Sequence, residues 1–161
     1  MTYLELTTAA VSIVSLPLLL WQVTLAARAI TADHLRRKQQ ATLEYLIVHL
    51  RSHWSSDLRT FMKKFGDAAL TQEQLPVFMA DPDATAALVP LLGSIEHLAV
   101  GVNMGVYDQD LLNRASGAYL IRTFHRFGVF IRAAQIEQPT AYTEFATLVG
   151  NLEAIRASRQ H

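Results

Sequence analysis

The chain of 161 residues contains no cysteine. That removes disulfide frameworks, cysteine-type structural zinc and thiol catalysis, and leaves the compartment open on this criterion. Charge is scarce as well. Only 17% of residues are charged against 51% hydrophobic, and the formal net charge is zero. The chain is therefore neither disordered by composition nor a generally basic nucleic-acid binder, and no nucleic-acid partner is expected. Strand-like alternation, internal repeats and low-complexity linkers are missing too. So are a P-loop, G-x-G-x-x-G, G-x-S-x-G and HExxH, the patterns that would announce nucleotide binding or hydrolysis; no catalytic residue, metal or cofactor is expected.

Charge of one sign is also absent locally. Between Phe65 and Asn113 there are seven acids and no Lys or Arg, whereas Arg28 to Lys64 holds eight basic residues against Asp33, Glu44 and Asp57. From Arg114 onward, six arginines face three acids. Segregation of this kind points to segments that neutralise each other on folding.

What is present is a long apolar run. Glu5 and Arg28 bracket 22 uncharged residues, LTTAAVSIVSLPLLLWQVTLAA, which as a helix reach about 33 Å, against a hydrocarbon core of roughly 30 Å. This predicts a transmembrane helix, with its hydroxyls bonded back to their own backbone and Pro17 tolerated as a kink. A cleaved secretory signal would need a basic start and a shorter apolar region, whereas the chain opens MTYLE. Arg28, Arg36, Arg37 and Lys38 follow the run. The positive-inside rule then gives a single-pass protein of the inner (cytoplasmic) membrane, with residues 1–30 as anchor and 31–161 as a cytoplasmic helical domain. The basic cluster should also attract anionic headgroups.

The remainder reads as helices, giving an all-α chain: one amino-terminal transmembrane helix continuing toward a bundle of about four to five. Leu43, Leu46, Ile47, Leu50, Trp54, Leu58, Phe61 and Met62 form an amphipathic stripe, ending at Gly66. His49 and His53, at i and i+4, could chelate a metal but lack a third ligand. Thr71-Gln72-Glu73-Gln74 fits a capping box, and Asp81-Pro82 fits a cap followed by proline at the first helical position. The next helix carries Leu88, Leu91, Leu92, Ile95, Leu98, Val102 and Val106, with Pro90 expected to bend or interrupt it. Gly93, Gly101 and Gly105 leave a bare strip that suggests close approach of another helix. Gly105 and Asp108 predict a corner and an antiparallel hairpin with the helix that follows, while the Asp108-x-Asp110 pair reads as capping rather than a cation loop. A long helix from Leu111 to Glu137 and a last one carrying Tyr142, Phe145, Leu148, Val149, Leu152 and Ile155 complete the chain.

Glu96 is the acid most in need of explanation. It borders the stripe of its helix, so it needs a partner, and Arg114 or Arg122 on the returning helix is the expected one. The functional alternative gathers Glu96, Asn103, Arg122 and Arg126 into a polar pocket for an anion such as a phosphate, with Phe124 and Phe127 as walls. These four are the candidate binding residues.

Two patterns, RRKQQATLEYL and L-x-x-x-E-x-L-A-x-G-V-x-x-G-V-x-D-x-D, resemble an uncharacterised bacterial family, domain-of-unknown-function family four-seven-six-zero. The second pattern is the more specific and holds Leu92, Glu96, Ala99, Gly101, Gly105, Asp108 and Asp110. The resemblance implies one amino-terminal membrane helix joined to a small helical domain; the family has no established activity, so the resemblance bears on fold and membrane placement only. The resulting expectation is a membrane-anchored, non-enzymatic interaction or regulatory module, self-associating, with the lipid bilayer and a protein as partners. The alternatives are a membrane-tethered sensor of a phosphate-bearing small molecule, as in stress or phage defence, and a metal-dependent hydrolase built on Glu96 and an aspartate.

Overall fold

A computed structural model describes residues 3–50 and 64–159, with side chains over 17–48 and 64–159. Every regular element among them is helical. The chain divides into two compact units, Met1–Arg37 and Lys38–His161. The first consists of the amino-terminal part of α1 (Tyr3–Tyr45), which passes Pro17 without a break and exposes Leu18, Leu19, Leu20, Trp21, Val23 and Leu25.

The second unit opens with the end of α1 and a π-helical turn, Leu46–Leu50. Of the amphipathic stripe, Leu50, Trp54, Leu58, Phe61 and Met62 lie outside the residues described at side-chain level, as do His49 and His53. Gly66 takes φ +78°, the left-handed conformation that ends the helical residues before it. The capping box forms reciprocally: the Gln74 amide donates to Thr71 Oγ1 at 3.3 Å and the Thr71 amide to Gln74 Oε1 at 3.1 Å. It launches α2 (Leu75–Met79).

Asp81 then caps α3 (Pro82–Asn103), accepting from the amides of Asp83 and Ala84, with Pro82 at the first position. The helix is not interrupted at Pro90. Pro90 and Ala86, whose carbonyl loses its partner there, are both exposed, where solvent is at hand for the freed carbonyl. Leu88, Leu91, Leu92, Ile95, Leu98 and Val102 are buried, each contributing on the order of 1.5–3 kcal/mol on leaving water. Val106 falls beyond the helix end and is exposed. The end itself is a Schellman motif: the Val106 amide donates to the Gly101 carbonyl (2.8 Å), the Gly105 amide to that of Val102 (2.9 Å), and Gly105 sits at φ +78°.

Asp108 caps α4 (Gln109–Leu112), accepting from the Leu111 amide at 2.9 Å. The expected single helix from Leu111 to Glu137 is divided. A π-helical turn at Asn113–Gly117 leads into α5 (Ala118–Arg126), and Phe127, at φ −102°, ψ 15°, separates α5 from α6 (Gly128–Glu137). Pro139 pushes Gln138 into extended backbone and ends α6. Last comes α7 (Thr143–Ser158).

The main packing partner of α3 differs from expectation, which had the helix after the Gly105 corner returning along it. α3 packs most extensively on α7, and α5 packs on the same α7. The glycine strip has another purpose as well. Gly93 faces open space, whereas a Cβ at Gly101 would sit 2.3 Å from the ring of Tyr107, so the notch holds the tyrosine of the following turn.

Candidate functional site

α7 begins with a problem of unsatisfied donors. Tyr142, in the N-cap position, is left-handed (φ 58°, ψ 24°), and its side chain makes no capping bond. The first amides of α7 would be orphans. Glu96, reaching across from α3, accepts from the Glu144 amide through Oε1 (3.1 Å) and from the Phe145 amide through Oε2 (2.8 Å). These are the second and third positions of the helix, the two amides an N-cap side chain ordinarily serves. A carboxylate there also meets the positive end of the helix dipole. Two turns further along α3, Asn103 Nδ2 donates to the Glu144 carbonyl (3.1 Å) and to its carboxylate (2.7 Å). Burial, and then the charge of Glu96, push the Tyr142 phenol above its ordinary range.

The expected partner of Glu96 is thereby corrected. Its two oxygens are held by backbone amides, not by Arg114 or Arg122, both of which are exposed. Arg126 is buried but turned elsewhere: it donates to Asp67 at 3.2 Å and to the Gly66 carbonyl, while its own carbonyl accepts from the Leu70 amide at 2.8 Å. It is a clamp on the segment that follows Gly66. Of the four candidate residues, the structure brings Glu96 and Asn103 together at the start of α7, and Arg126 serves a different junction. Phe127 belongs to the core, and Phe124 stacks edge-on against Phe145 at 5.2 Å. Among the described residues there is no group of three or more His, Asp or Glu placed to hold a metal.

Two polar junctions were not anticipated. Arg156 of α7 donates through Nε to Asn113 Oδ1 (2.8 Å) and through Nη2 to the Asn113 carbonyl (3.0 Å). A Cβ on Gly117 would lie 2.9 Å from that guanidinium, so the π-helical turn and its glycine make room for the arginine. The second junction joins the end of α1 to the corner after α3. Thr42, fully buried, accepts from the Asp108 amide (2.8 Å) and donates to the Lys38 carbonyl (2.7 Å). Gln39 donates to Asp108 Oδ2 (3.4 Å), and Tyr45 Oη donates to the Ser94 carbonyl (2.9 Å). The ring of Tyr45 meets that of Tyr107 at 5.3 Å, with an interplanar angle of 50°. The sequence signal was the polar spacing Gln39, Thr42, Tyr45 on one helical face.

The fold and these junctions define an all-helical protein whose polar side chains mainly close helix ends and fix helix to helix. Within that class, the chain belongs to the family described as Domain of unknown function (DUF4760), whose model matches residues 8–152. No curated protein and no solved structure matches the chain.

Proposed function

We propose that this protein is a single-pass membrane protein whose helical domain acts on the cytoplasmic face as a non-enzymatic interaction or regulatory module, self-associating through α1. The observation that carries the reading is the exposure of consecutive large apolar side chains on α1: Leu18 50%, Leu19 56%, Leu20 63% and Trp21 60%. Four consecutive residues sweep about 300° of a helix, so no single packing partner covers them all. Lipid surrounds a helix on every side. The hydroxyls nearby behave as a membrane requires. Thr24 donates to the Trp21 carbonyl (2.7 Å), so it needs no water, and the same bond recurs just past the anchor from Thr31 to the Ala27 carbonyl (2.9 Å).

α3 is also long and apolar enough to cross a bilayer, but its leucines are buried among other helices, which marks it as a core element. The cytoplasmic orientation rests on Arg28, Arg36, Arg37 and Lys38 following the apolar segment. The module reading rests on the use already made of the strongest polar groups: Glu96 and Arg126 are spent on the fold itself.

Alkaline washing of membranes tests the anchor, and the expected result is that the intact chain stays with the lipid. Release into the wash would overturn the reading. Protease added to inverted vesicles should digest residues after Arg28, and protection there would reverse the orientation. Native mass spectrometry of gently extracted protein should report more than one subunit; a monomer alone would remove the self-association.

A further inference from the structure

We propose that Arg28 and Arg36, with Arg37 on the side of the helix opposite Arg28, form a collar on α1 that binds the phosphodiester headgroups of anionic phospholipids; this rests on the membrane reading above. Arg28 is the first charge after the 22 uncharged residues, which puts it at headgroup level when the apolar segment fills the hydrocarbon. Arg36 lies eight residues on, about 12 Å along the axis and about 80° around it, so the two arginines share a face. Leu35 lies within about 20° of Arg28 and is 49% exposed. Arg28 thus stands at the headgroups, and Arg36 follows it with Leu35 between them on the water side, so the face turned to phosphate is set by the two guanidinium groups.

Side chains on a helix lean toward its amino terminus, here toward the bilayer, which lets Arg36 and Arg37 reach back to the headgroups. The only acid in this stretch, Asp33, is occupied by Arg37 at 2.8 Å. All three arginines are exposed. A planar guanidinium matches phosphate oxygens in pairs, so the collar favours a phosphodiester of net negative charge over a zwitterionic one, whose choline repels it. Each cation near such a surface adds on the order of a threefold to fivefold preference.

The test reads Trp21, which is seven residues before Arg28, about 10 Å along the helix, and 60% exposed. The full chain is reconstituted in vesicles containing either brominated phosphatidylglycerol or brominated phosphatidylcholine at equal mole fraction, and the signal of a Trp21→Phe protein is subtracted. The expected result is quenching by both lipids, with the anionic one favoured by about threefold or more. That preference should fall to about one in Arg28→Gln/Arg36→Gln/Arg37→Gln and in about 1 M salt, and persist in the triple Lys variant. Equal quenching by both lipids, or a preference unchanged in the Gln variant, would overturn the collar while leaving the membrane reading standing. Quenching by neither lipid would overturn the membrane reading, and the collar with it.

Discussion

Two helical stretches of this chain are 22 residues long and mainly apolar: the uncharged part of α1 and the whole of α3. Their fates are opposite. Leu92 and Leu98 of α3 are fully buried, whereas Leu20 of α1 is 63% exposed. What separates them is amphipathy, not hydropathy. α3 carries Asp83, Glu96 and His97 on or beside its outer face, and its leucines keep to one stripe, so it can turn inward against α7. α1 carries no charge over the same length, and Leu18, Leu19, Leu20 and Trp21 point to all sides of it. Thr24 of α1 and Thr85 of α3 both bond back to their own helix, whereas Glu96 of α3 serves another.

The widest difference should appear on removing the same atoms from both. Leu98→Ala should lower the unfolding free energy by about 2–5 kcal/mol, because the close-packed site around it cannot collapse. Leu20→Ala should change it by no more than about 0.5 kcal/mol, because no packed site surrounds this exposed side chain. Denaturant unfolding of the extracted protein measures both. Equal losses would break the comparison.

A smaller effect tests the carboxylate. Glu96→Ala should cost about 1–2 kcal/mol, the range of a lost helix cap, while Glu96→Gln, which keeps an acceptor, should cost less. In a double-mutant cycle with Arg122→Ala the coupling should stay within about 0.5 kcal/mol, since the two side chains share no bond. A large coupling would restore the ion pair expected from sequence.

Glycines sharpen the picture further and reverse the sign. Gly93 lies inside α3 facing open space, so Gly93→Ala should stabilise by roughly 0.5–1 kcal/mol through helix propensity alone. Gly101→Ala gains the same propensity but must displace the Tyr107 ring, and should come out destabilising. Thermal unfolding of the two variants side by side checks the signs.

Local chemistry made the caps legible. Thr71 with Gln74, Asp81 with Pro82, Gly105 with Asp108, and Pro139 each stand where their residue types require, because a cap is decided by neighbours a few residues away. The buried stripe of α3 was legible for the same reason. The partner of Glu96 was not. Naming it required knowing that α7, some fifty residues on, lies against α3 and that Tyr142 leaves its first amides uncapped, which no periodicity reveals. Backbone donors carry no side-chain signature, so an arginine on the next helix looked like the natural choice. The π-helical turn at Asn113 was hidden similarly: it accommodates Arg156, which arrives from α7. Val106, in phase with the stripe, lay past the turn that ends it.

The smallest expected effect concerns Asp81, where a cap and an ion pair coincide. The Lys64 ammonium donates to its carboxylate, and with the amides of Ala84 and Asp83 holds the acid below its ordinary value of 3.8, against the opposing effect of burial. A carboxyl with a lowered folded pKa contributes stability that is present above the unfolded value and lost as pH falls through the folded one. Acidification through the ordinary carboxyl value of 3.8 and below it should therefore remove it. Asp81→Asn keeps the capping oxygen and gives up the charge, so its melting temperature should lie slightly below that of the unaltered protein at neutral pH and converge with it in acid. A gap that stays constant across that range would mean that Lys64, itself 61% exposed, contributes nothing through its charge, and that capping alone holds the start of α3.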